Sequence, residues 1–502
     1  MKNKTGLFLV IILYSFFNLA NAQELPGKRD SIKSSILNEK RVIQVVLPKK
    51  YKAGSTDKYD VLYVLDGDWN TKTMADVQQF IEGENYMPPT IIVGILNTDR
   101  NRDFLPTHVA GTKTSGGADK FLGFFKNELV PYINKTYPSN GDNAIFGHSF
   151  GGVFVTYALL TEPQLFKSYI AADPSFWWDS GIMIKMTAGK LAGLANLGKT
   201  FYISGREGQA FTGMGIPPMD TLLKKAAPAG LTWKVIAYPD ETHGSVRLKS
   251  MYDGLKFSYA GFNAKGIALY PMAGILLKDK PVKIWYFDDN AKVHYTVDGT
   301  EPTITSPTIR PEIILTGPTK LKAKLFTSRD RYNTTTTGDF KAGTYLPASA
   351  DSGKMKPGGF NYAYYEGQWD KLPDFKTLKT VKTGITDSSF DIDKLPRQEN
   401  FALLITGQLS VKQDGYYLLV LDSDDGSKLY LGGQLLIDND GLHGDGSPKT
   451  FILPLQKGFY PLRVEYFQKD GGHSLRLSYL TPFTMNFKNP NPIPLRLQYG
   501  LR

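Results

Sequence analysis

Cysteine is absent from the 502 residues of this chain. Its absence excludes disulfides, thiolate metal sites, a cysteine nucleophile and lipid attachment to a terminal cysteine. Long basic runs are also missing, because the excess of 59 Lys and Arg over 48 Asp and Glu is scattered and its densest stretch spans only residues 49–52. That stretch is too short for a nucleic-acid-binding arm, so we expect a solvated face and no nucleic-acid partner.

Material for folded cores is plentiful. Apolar residues make up 41% of the chain, which includes 28 Tyr, 29 Phe and 6 Trp. Such a composition carries no signature of disorder. At about 150 residues per domain, the length predicts about three domains.

The first 22 residues predict a cleaved secretory signal. Two lysines precede an apolar stretch over residues 7–19, and Ala20-Asn21-Ala22 supplies small residues at the cleavage site. The alternative is a membrane anchor, but this stretch is shorter than the roughly 20 residues needed to span a bilayer, and Asn18 interrupts it. We therefore expect a periplasmic or extracellular protein with no membrane span after signal cleavage.

The pattern between residues 41 and 261 is typical of an α/β fold with a mostly parallel sheet and flanking helices. Short apolar runs alternate there with longer amphipathic segments, as buried parallel strands and their crossover helices do. The clearest helix is predicted over 117–137, where apolar residues recur at helical spacing. The predicted strands are 42–47, 61–65, 90–96, 144–146, 168–172, 200–204 and 234–238.

After residue 262 the pattern changes to short strands separated by Gly, Pro, Thr and Asp, which predicts two all-β sandwich domains. A proline-rich tail closes the chain and either packs as an extended edge or stays loose. A Gly- and Pro-rich stretch marks an interdomain linker. The expected boundaries are 23–262 for the α/β domain, 263–344 for the first sandwich, 345–358 for the linker, 359–482 for the second sandwich and 483–502 for the tail.

A candidate nucleophile lies in the α/β region. Ser149 is the centre of Gly147-His148-Ser149-Phe150-Gly151, which follows an apolar run and precedes a helical pattern. A strand, a tight turn and a helix form the context that a Gly-x-Ser-x-Gly nucleophile elbow requires. The alternative is an ordinary helix-capping serine.

A serine hydroxyl needs a base, which in an α/β-hydrolase follows it in the chain. His243 is the one histidine between Ser149 and the end of the α/β region. The acid that orients the histidine should lie at a strand end between them. Glu207, after the strand 200–204, is the first choice, Asp240 is the reserve, and Asp173 comes one strand early.

The oxyanion requires backbone N–H donors. The amide of Phe150, directly after the nucleophile, supplies one of them. The other is expected from the turn at residues 66–68, with Asp68 as the chosen residue.

Five segments together resemble the putative esterase family, which groups siderophore (enterobactin-type), feruloyl and acetyl-xylan esterases with S-formylglutathione hydrolases. They span residues 59–67, 93–107, 147–152, 174–179 and 241–246. The resemblance implies a serine hydrolase with Ser149 as nucleophile and His243 as base. Residues 97–103 and 175–178 are most similar to the siderophore-esterase branch, although Phe104-Leu105-Pro106 replaces that branch's usual Thr-Pro.

Four further side chains are candidates to line an acyl or aromatic binding cleft. Arg102, Trp177 and Trp178 are the chosen substrate-binding candidates. Arg100, two residues before Arg102, is the fourth side chain. The alternative is structural, with the arginines paired to Asp99 and Asp103 and the tryptophans packing a lid.

The two β regions resemble modules of known families. Residues 293–303 and 321–326 are similar to the chitobiase/hexosaminidase C-terminal Ig-like module, and residues 364–369, 421–430 and 438–443 resemble the protective-antigen β-sandwich domain. Some members of the latter bind sugar through a calcium ion held by adjacent aspartates. On that resemblance Asp424 and Asp425 are candidates for calcium or glycan binding, with turn capping as the alternative.

The sequence therefore predicts a secreted serine esterase that forms an acyl-enzyme and needs no cofactor for catalysis. The expected substrate is an acetyl or feruloyl ester of carbohydrate, so polysaccharide is a candidate partner. The first alternative is a siderophore trilactone esterase. An alternative of another class is a glycan-binding adhesin whose hydrolase scaffold is not catalytic.

Overall fold

A computed structural model describes residues 26–195, 197–286, 292–309, 312–349, 359–386, 390, 392–487, 490–495 and 500–501. The predicted signal at residues 1–22 lies outside the described residues. Within the described ranges, no helix is both long and apolar enough to cross a membrane.

Eight strands form the sheet of the N-terminal domain. They are Lys28–Ser34 (β1), Glu39–Val46 (β2), Tyr59–Val64 (β3), Thr90–Ile95 (β4), Ser139–His148 (β5), Ser168–Ala172 (β6), Lys199–Arg206 (β7) and Leu231–Tyr238 (β8). Their order is β1-β2-β4-β3-β5-β6-β7-β8. The pairs β1–β2 and β2–β4 are antiparallel. The pairs β4–β3, β3–β5, β5–β6, β6–β7 and β7–β8 are parallel. The predicted mostly parallel sheet is confirmed.

Helices flank this sheet. They are Gly67–Gly83 (α1), Arg100–Phe104 (α2), Ala118–Phe124 (α3), Val130–Thr136 (α4), Phe150–Thr161 (α5), Trp178–Lys190 (α6), Gln209–Gly213 (α7), Ile216–Ala226 (α8) and Val246–Ser258 (α9). A π-helical turn at Phe125–Leu129 joins α3 to α4. The helix predicted over 117–137 is therefore present, with this turn in its middle.

Both faces of the sheet are buried. Along β3, Val61 and Tyr63 enter one apolar cluster, whereas Leu62 and Val64 enter the cluster on the opposite face. Strands covered on both faces read as continuous apolar runs, because successive side chains point to opposite sides. That is why the central strands were recognisable in the sequence.

The rest of the chain is β structure with short 3₁₀ turns. The strands of the second region are Ala273–Leu276 (β9), Val282–Ile284 (β10), Val293–Thr296 (β11), Ile313–Leu315 (β12), Thr319–Leu325 (β13) and Thr334–Ala342 (β14). Those of the third are Phe360–Glu366 (β15), Lys382–Thr386 (β16), Phe401–Val411 (β17), Gly415–Asp424 (β18), Ser427–Leu431 (β19), Gln434–Asn439 (β20), Lys449–Leu455 (β21), Gly458–Gln468 (β22), Ser474–Leu480 (β23), Ile493–Pro494 (β24) and Gly500–Leu501 (β25).

One sheet runs through both β regions in the order β11-β13-β14-β9-β21-β18-β23-β24. Strand β9 pairs in parallel with β14 on one side and with β21 on the other. A Cβ on Gly274 would lie 2.3 Å from the Ile452 carbonyl oxygen, so this close pairing requires glycine there. Leu418, Val420 and Ile452 of the third region also enter the core of the second. The two β regions are therefore fused through β9.

The start of the predicted linker and part of the tail pack on the third region. The Leu346 amide donates to the Pro454 carbonyl at 2.9 Å, and the Tyr460 hydroxyl donates to the Leu346 carbonyl at 2.8 Å. Strand β24 pairs with β23, and β25 pairs with β17. For these tail residues the extended-edge alternative is the one observed.

The second region docks on the N-terminal domain through a buried ion pair. Arg329 donates to Asp60, the second residue of β3, and also to Ser168 Oγ at 3.2 Å, at the first residue of β6. Parallel strands begin at the same edge of a sheet, so this contact lies at the edge opposite the carboxyl ends of β3 and β6. Open α/β sheets bind their ligands at the carboxyl edge. This docking contact therefore does not involve the carboxyl edge of the sheet.

Candidate active site

Ser149 occupies a sharp turn between β5 and α5. Its backbone has φ 60° and ψ −116°, a conformation that costs energy for a residue with a side chain. A Cβ on Gly147 would lie 2.3 Å from the Gly151 carbonyl oxygen, and one on Gly152 would lie 2.8 Å from Pro174 Cβ. The strand, turn and helix predicted around the Gly-x-Ser-x-Gly pattern are confirmed, and close packing explains the glycines at positions 147 and 152.

The hydroxyl of Ser149 shares a hydrogen bond of 3.1 Å with the hydroxyl of Ser175. The Ser175 amide also donates to the Ser149 carbonyl at 3.2 Å. Sequence reasoning missed Ser175 as a neighbour of the nucleophile. Its position three residues after β6, the strand beside β5, is the signal that could have found it.

His243 lies in the loop between β8 and α9, at the same edge of the sheet. Its Nδ1 donates to Asp173 Oδ2 at 2.7 Å, and 44% of its side chain is exposed. A carboxylate at this position fixes the tautomer that leaves Nε2 free to accept a proton. Asp173 therefore lies where a carboxylate can orient His243.

The acid differs from the one predicted. Glu207 was expected to orient His243, with Asp240 in reserve, but both side chains are exposed and the histidine bonds to the fully buried Asp173 instead. Strand β7 continues through Arg206, which carries Glu207 past the edge of the sheet. Asp173 directly follows β6, the neighbour of the strand that carries Ser149, and that adjacency is the signal that was undervalued.

The carboxylate of Asp173 is charged and only partly satisfied. Burial alone would raise its pKa, but the hydrogen bonds from His243 and from Arg206 Nε at 2.6 Å bring the pKa below the ordinary value. Its second oxygen, Oδ1, is buried and has no hydrogen-bond partner. The Asp173 carboxylate is therefore an anion that accepts hydrogen bonds through Oδ2 alone.

Two helix N-termini face the nucleophile turn. Phe150 is the first residue of α5, and Gly67 and Asp68 open α1. First-turn amides have no intrahelical acceptor, so they are suited to hold an oxyanion. The carboxylate of Asp68 accepts from the Asn97 amide at 2.8 Å, which fixes this turn. The oxyanion roles of Phe150 and Asp68 remain predictions.

Arg100 ties the two turns together. Its Nε donates to Asp66 Oδ1 at 2.7 Å, and its Nη2 donates to Asp66 Oδ2 and to the His148 carbonyl, each at 3.3 Å. Asp66 precedes α1 with φ 52°, and His148 precedes Ser149. The arginine thus fixes the spacing between the predicted oxyanion turn and the nucleophile turn.

The substrate-binding candidates are placed differently from one another. Arg102 pairs with Glu39 at 2.6 Å and with Asp103 at 2.8 Å, so it follows the structural alternative. Trp178 is 6% exposed and donates to Thr107 Oγ1 at 3.2 Å, which also makes it a packing residue. Trp177 is 50% exposed, with its ring centroid 6.0 Å from that of Phe150 beside the nucleophile. Of these three, Trp177 keeps the position expected of a cleft residue.

His148 packs against the base. The centroids of its ring and the His243 ring are 4.4 Å apart. Burial, with a smaller effect of neighbouring His243 and Arg247, lowers the pKa of His148 to about 3. The imidazole is therefore neutral at physiological pH, and its Nε2 is buried without a hydrogen-bond partner.

The aspartate pair of the third region lies at the end of β18. Asp425 is buried, and its two oxygens accept from the amides of His443 at 3.2 Å and Lys469 at 3.0 Å. Burial and the nearby Asp425 and Asp445 raise the pKa of Asp424 to about 6. Calcium or glycan binding here remains a prediction, since the amide contacts of Asp425 are equally those of a structural loop carboxylate.

Three family models match separate parts of the chain. Residues 34–193 match the family described as "Putative esterase", residues 271–337 match the chitobiase/β-hexosaminidase C-terminal domain, and residues 356–491 match the PA14 domain. These are the three resemblances seen in the sequence.

Curated relatives and a solved structure are similar to part of this chain. The ferri-bacillibactin esterase BesA of Bacillus subtilis is 33% identical over 34% of this chain and 65% of its own length. A siderophore triacetylfusarinine C esterase of Aspergillus fumigatus is 32% identical over 31% of this chain and 58% of its own length. A solved IroE-like serine hydrolase of Shewanella oneidensis is 32% identical, with a TM-score of 0.43 over 46% of this chain and 78% of that one. The chain thus spans less than two thirds of the two curated relatives.

The matched residues include the nucleophile turn, and the structure gives them the sheet and helices of an α/β-hydrolase. The N-terminal domain of this chain therefore contains the match to the putative esterase family, and the matches to the chitobiase/β-hexosaminidase C-terminal domain and to the PA14 domain follow it.

Proposed function

We propose that this protein hydrolyses the ester bonds of a siderophore through an acyl-enzyme on Ser149. The observation that carries the proposal is the hydrogen bond from His243 to the buried Asp173 at the sheet edge where Ser149 forms a strained turn. The names of the two curated relatives support the substrate class.

In the proposed reaction the Ser149 hydroxyl turns from Ser175 toward His243 and attacks the ester carbonyl. His243 Nε2 takes the hydroxyl proton, and Asp173 stabilises the resulting imidazolium. Backbone amides, with Phe150 first among them, hold the oxyanion. The proton then passes to the departing alcohol, and a water molecule, activated by the same histidine, releases the carboxylic acid and restores Ser149.

The surroundings of Ser149 suit an aromatic acyl group. Trp69 and Trp177 are 61% and 50% exposed, which is unusual for such large aromatic side chains. The Arg100 guanidinium lies 6.0 Å from the Trp69 ring centroid and 5.3 Å from that of Phe150. Flat electron-rich rings, such as those of catecholates, can stack on tryptophans and interact with a nearby cation.

The first expectation, a carbohydrate ester, has weaker support than the siderophore alternative. It rested on the appended β modules, and these dock at the edge of the sheet away from Ser149. Polysaccharide binding stays a prediction for those modules. We propose export to the periplasm or the outside, which cell fractionation with an antibody against the protein would test.

Activity is tested with p-nitrophenyl acetate and the Ser149→Ala variant. We expect turnover by the protein and a loss of kcat of about 10⁴ or more in the variant. Ser139→Ala, at the other end of β5, is the matched control and should keep full activity. Equal turnover in the protein and Ser149→Ala would refute the assignment of the nucleophile.

Substrate class is tested by supplying a ferric catecholate trilactone and an acetylated xylan in parallel. We expect linear trimer and monomer from the trilactone at a higher kcat/KM than acetate from the xylan. The opposite preference would restore the carbohydrate-ester interpretation. If neither substrate nor the reporter ester is hydrolysed while a glycan array shows tight binding, the protein is an adhesin.

A further inference from the structure

Three metal-ligating side chains converge beside the nucleophile turn. One ligand atom from each of His148, Asp173 and His243 lies within 4.8 Å of the others. Across the described ranges, this is the one group of three or more histidine and carboxylate side chains so placed. Two histidines and a carboxylate are a set that Fe²⁺ and Zn²⁺ favour.

Two of these ligand groups have unused capacity. Asp173 is fully buried, yet its Oδ1 has no hydrogen-bond partner. The Nε2 of His148 is likewise buried and unpartnered. A buried polar atom without a partner carries a desolvation penalty, which a bound ion would relieve.

The exposure of His243 and the positive charge of Arg206 determine how an ion would bind at such a site. The His243 side chain is 44% exposed, so an ion can reach it from solvent. The Arg206 Nε lies 2.6 Å from Asp173 Oδ2, and its positive charge opposes a second cation nearby. The ion should therefore bind reversibly rather than as a permanent structural metal.

We propose that His148, Asp173 and His243 bind a divalent transition metal ion, and that the bound ion inhibits the esterase. A metal on His243 occupies a nitrogen lone pair, and its bond to Asp173 competes with the hydrogen bond that orients the histidine. Ion binding and proton transfer from Ser149 then exclude each other. The inhibitory part rests on the proposed esterase function, whereas the binding part does not.

Binding is tested without any activity, by titrating Co²⁺ into the full chain carrying Ser149→Ala and recording its visible d–d absorption. We expect one equivalent to bind. Adding His148→Gln or Asp173→Asn should weaken this binding by about tenfold or more. His473→Gln is the matched control, because it removes a histidine that also pairs with a carboxylate, at 2.8 Å from Asp393. It should change nothing.

Inhibition is tested with Zn²⁺ and the reporter ester, each variant being compared with its own metal-free rate. His148→Gln should raise the Zn²⁺ concentration for half-inhibition by about tenfold or more. Co²⁺ binding that is absent, or that survives both ligand substitutions, would overturn the site. Zn²⁺ inhibition that His148→Gln leaves unchanged would overturn the regulatory part. Absence of all esterase activity, with Co²⁺ binding intact, would refute the proposed function and leave the site standing.

Discussion

Two buried aspartates at opposite edges of one sheet differ in how completely they are satisfied. Asp60, near the start of β3, accepts from Asn140 at 2.7 Å, Tyr332 at 2.6 Å and Tyr259 at 2.9 Å, as well as from Arg329. Both of its oxygens are occupied. A carboxylate so completely bonded is a structural anchor, here between the N-terminal domain and the β modules.

Asp173, after β6, is equally buried but accepts through one oxygen only. One of its two donors is His243, a partly exposed imidazole that can change its protonation state. The incomplete bonding leaves this carboxylate able to respond when charge develops on the histidine. The fully hydrogen-bonded Asp60 therefore lies at the edge where the β modules dock, and the partly hydrogen-bonded Asp173 lies at the edge proposed for catalysis.

The largest expected effect separates Asp173 from Glu207. Asp173→Asn should lower kcat on the reporter ester by about 10⁴, because the amide favours the wrong histidine tautomer. Glu207→Gln should leave kcat essentially unchanged, since its side chain is exposed. Steady-state kinetics of both variants measures this, and a larger loss in Glu207→Gln would restore the sequence-based assignment.

A substitution at the docking edge should change the stability of the protein rather than its kcat. Arg329→Met leaves Asp60 buried without its cation, and we expect a loss of about 3–5 kcal/mol of stability, seen as a lower thermal unfolding midpoint. Arg397→Met is the control, since this arginine is 53% exposed where it pairs with Glu366, and exposed pairs contribute at most about 1 kcal/mol. An unchanged midpoint in Arg329→Met would contradict the anchoring role.

Arg100 is expected to act as a positioning residue for the proposed active site. Arg100→Gln removes the link between Asp66 and the His148 carbonyl and should lower kcat by about 10²-fold with a smaller change in KM. Arg100→Lys should restore part of the rate. A change confined to KM would indicate instead that the arginine contacts substrate and does not set the spacing of the turns.

The smallest expected effect concerns Asp424. Its folded-state pKa of about 6 exceeds the ordinary value of 3.8, so ionisation costs stability as pH rises from about 4 to about 6. Asp424→Asn should therefore stabilise the protein at pH 8 by about 1 kcal/mol after solvent screening, and by nothing near pH 3. Thermal unfolding at both pH values measures this. A stabilisation that is equal at the two values would contradict it.

The fold and the strand, turn and helix around Ser149 could be predicted because local patterns determine them. Strands β3, β4 and β6 are short, mostly apolar and buried along their length, and the turn at Ser149 requires glycine at position 147. The acid could not be selected in this way, because Asp173 and Glu207 both follow buried strands. The choice depends on which carboxylate reaches His243 in the folded chain, and Asp173 is the one that does.

The arrangement of the β modules could likewise not be predicted from local sequence patterns. Their strands were recognisable from turn residues, but the fusion through β9 depends on parallel pairing between segments far apart in sequence. The Arg329–Asp60 contact joins residues 269 positions apart, and nothing local to either marks it. Pairing between strands and between buried charges that are far apart in sequence therefore cannot be predicted from local patterns.

The most direct test of the central claim is mass spectrometry after labelling with a fluorophosphonate, which reacts with an activated serine. The account predicts one adduct, on Ser149, that forms at the normal rate in Glu207→Gln and far more slowly in Asp173→Asn. An adduct on another serine, or a labelling rate that does not depend on Asp173, would contradict it.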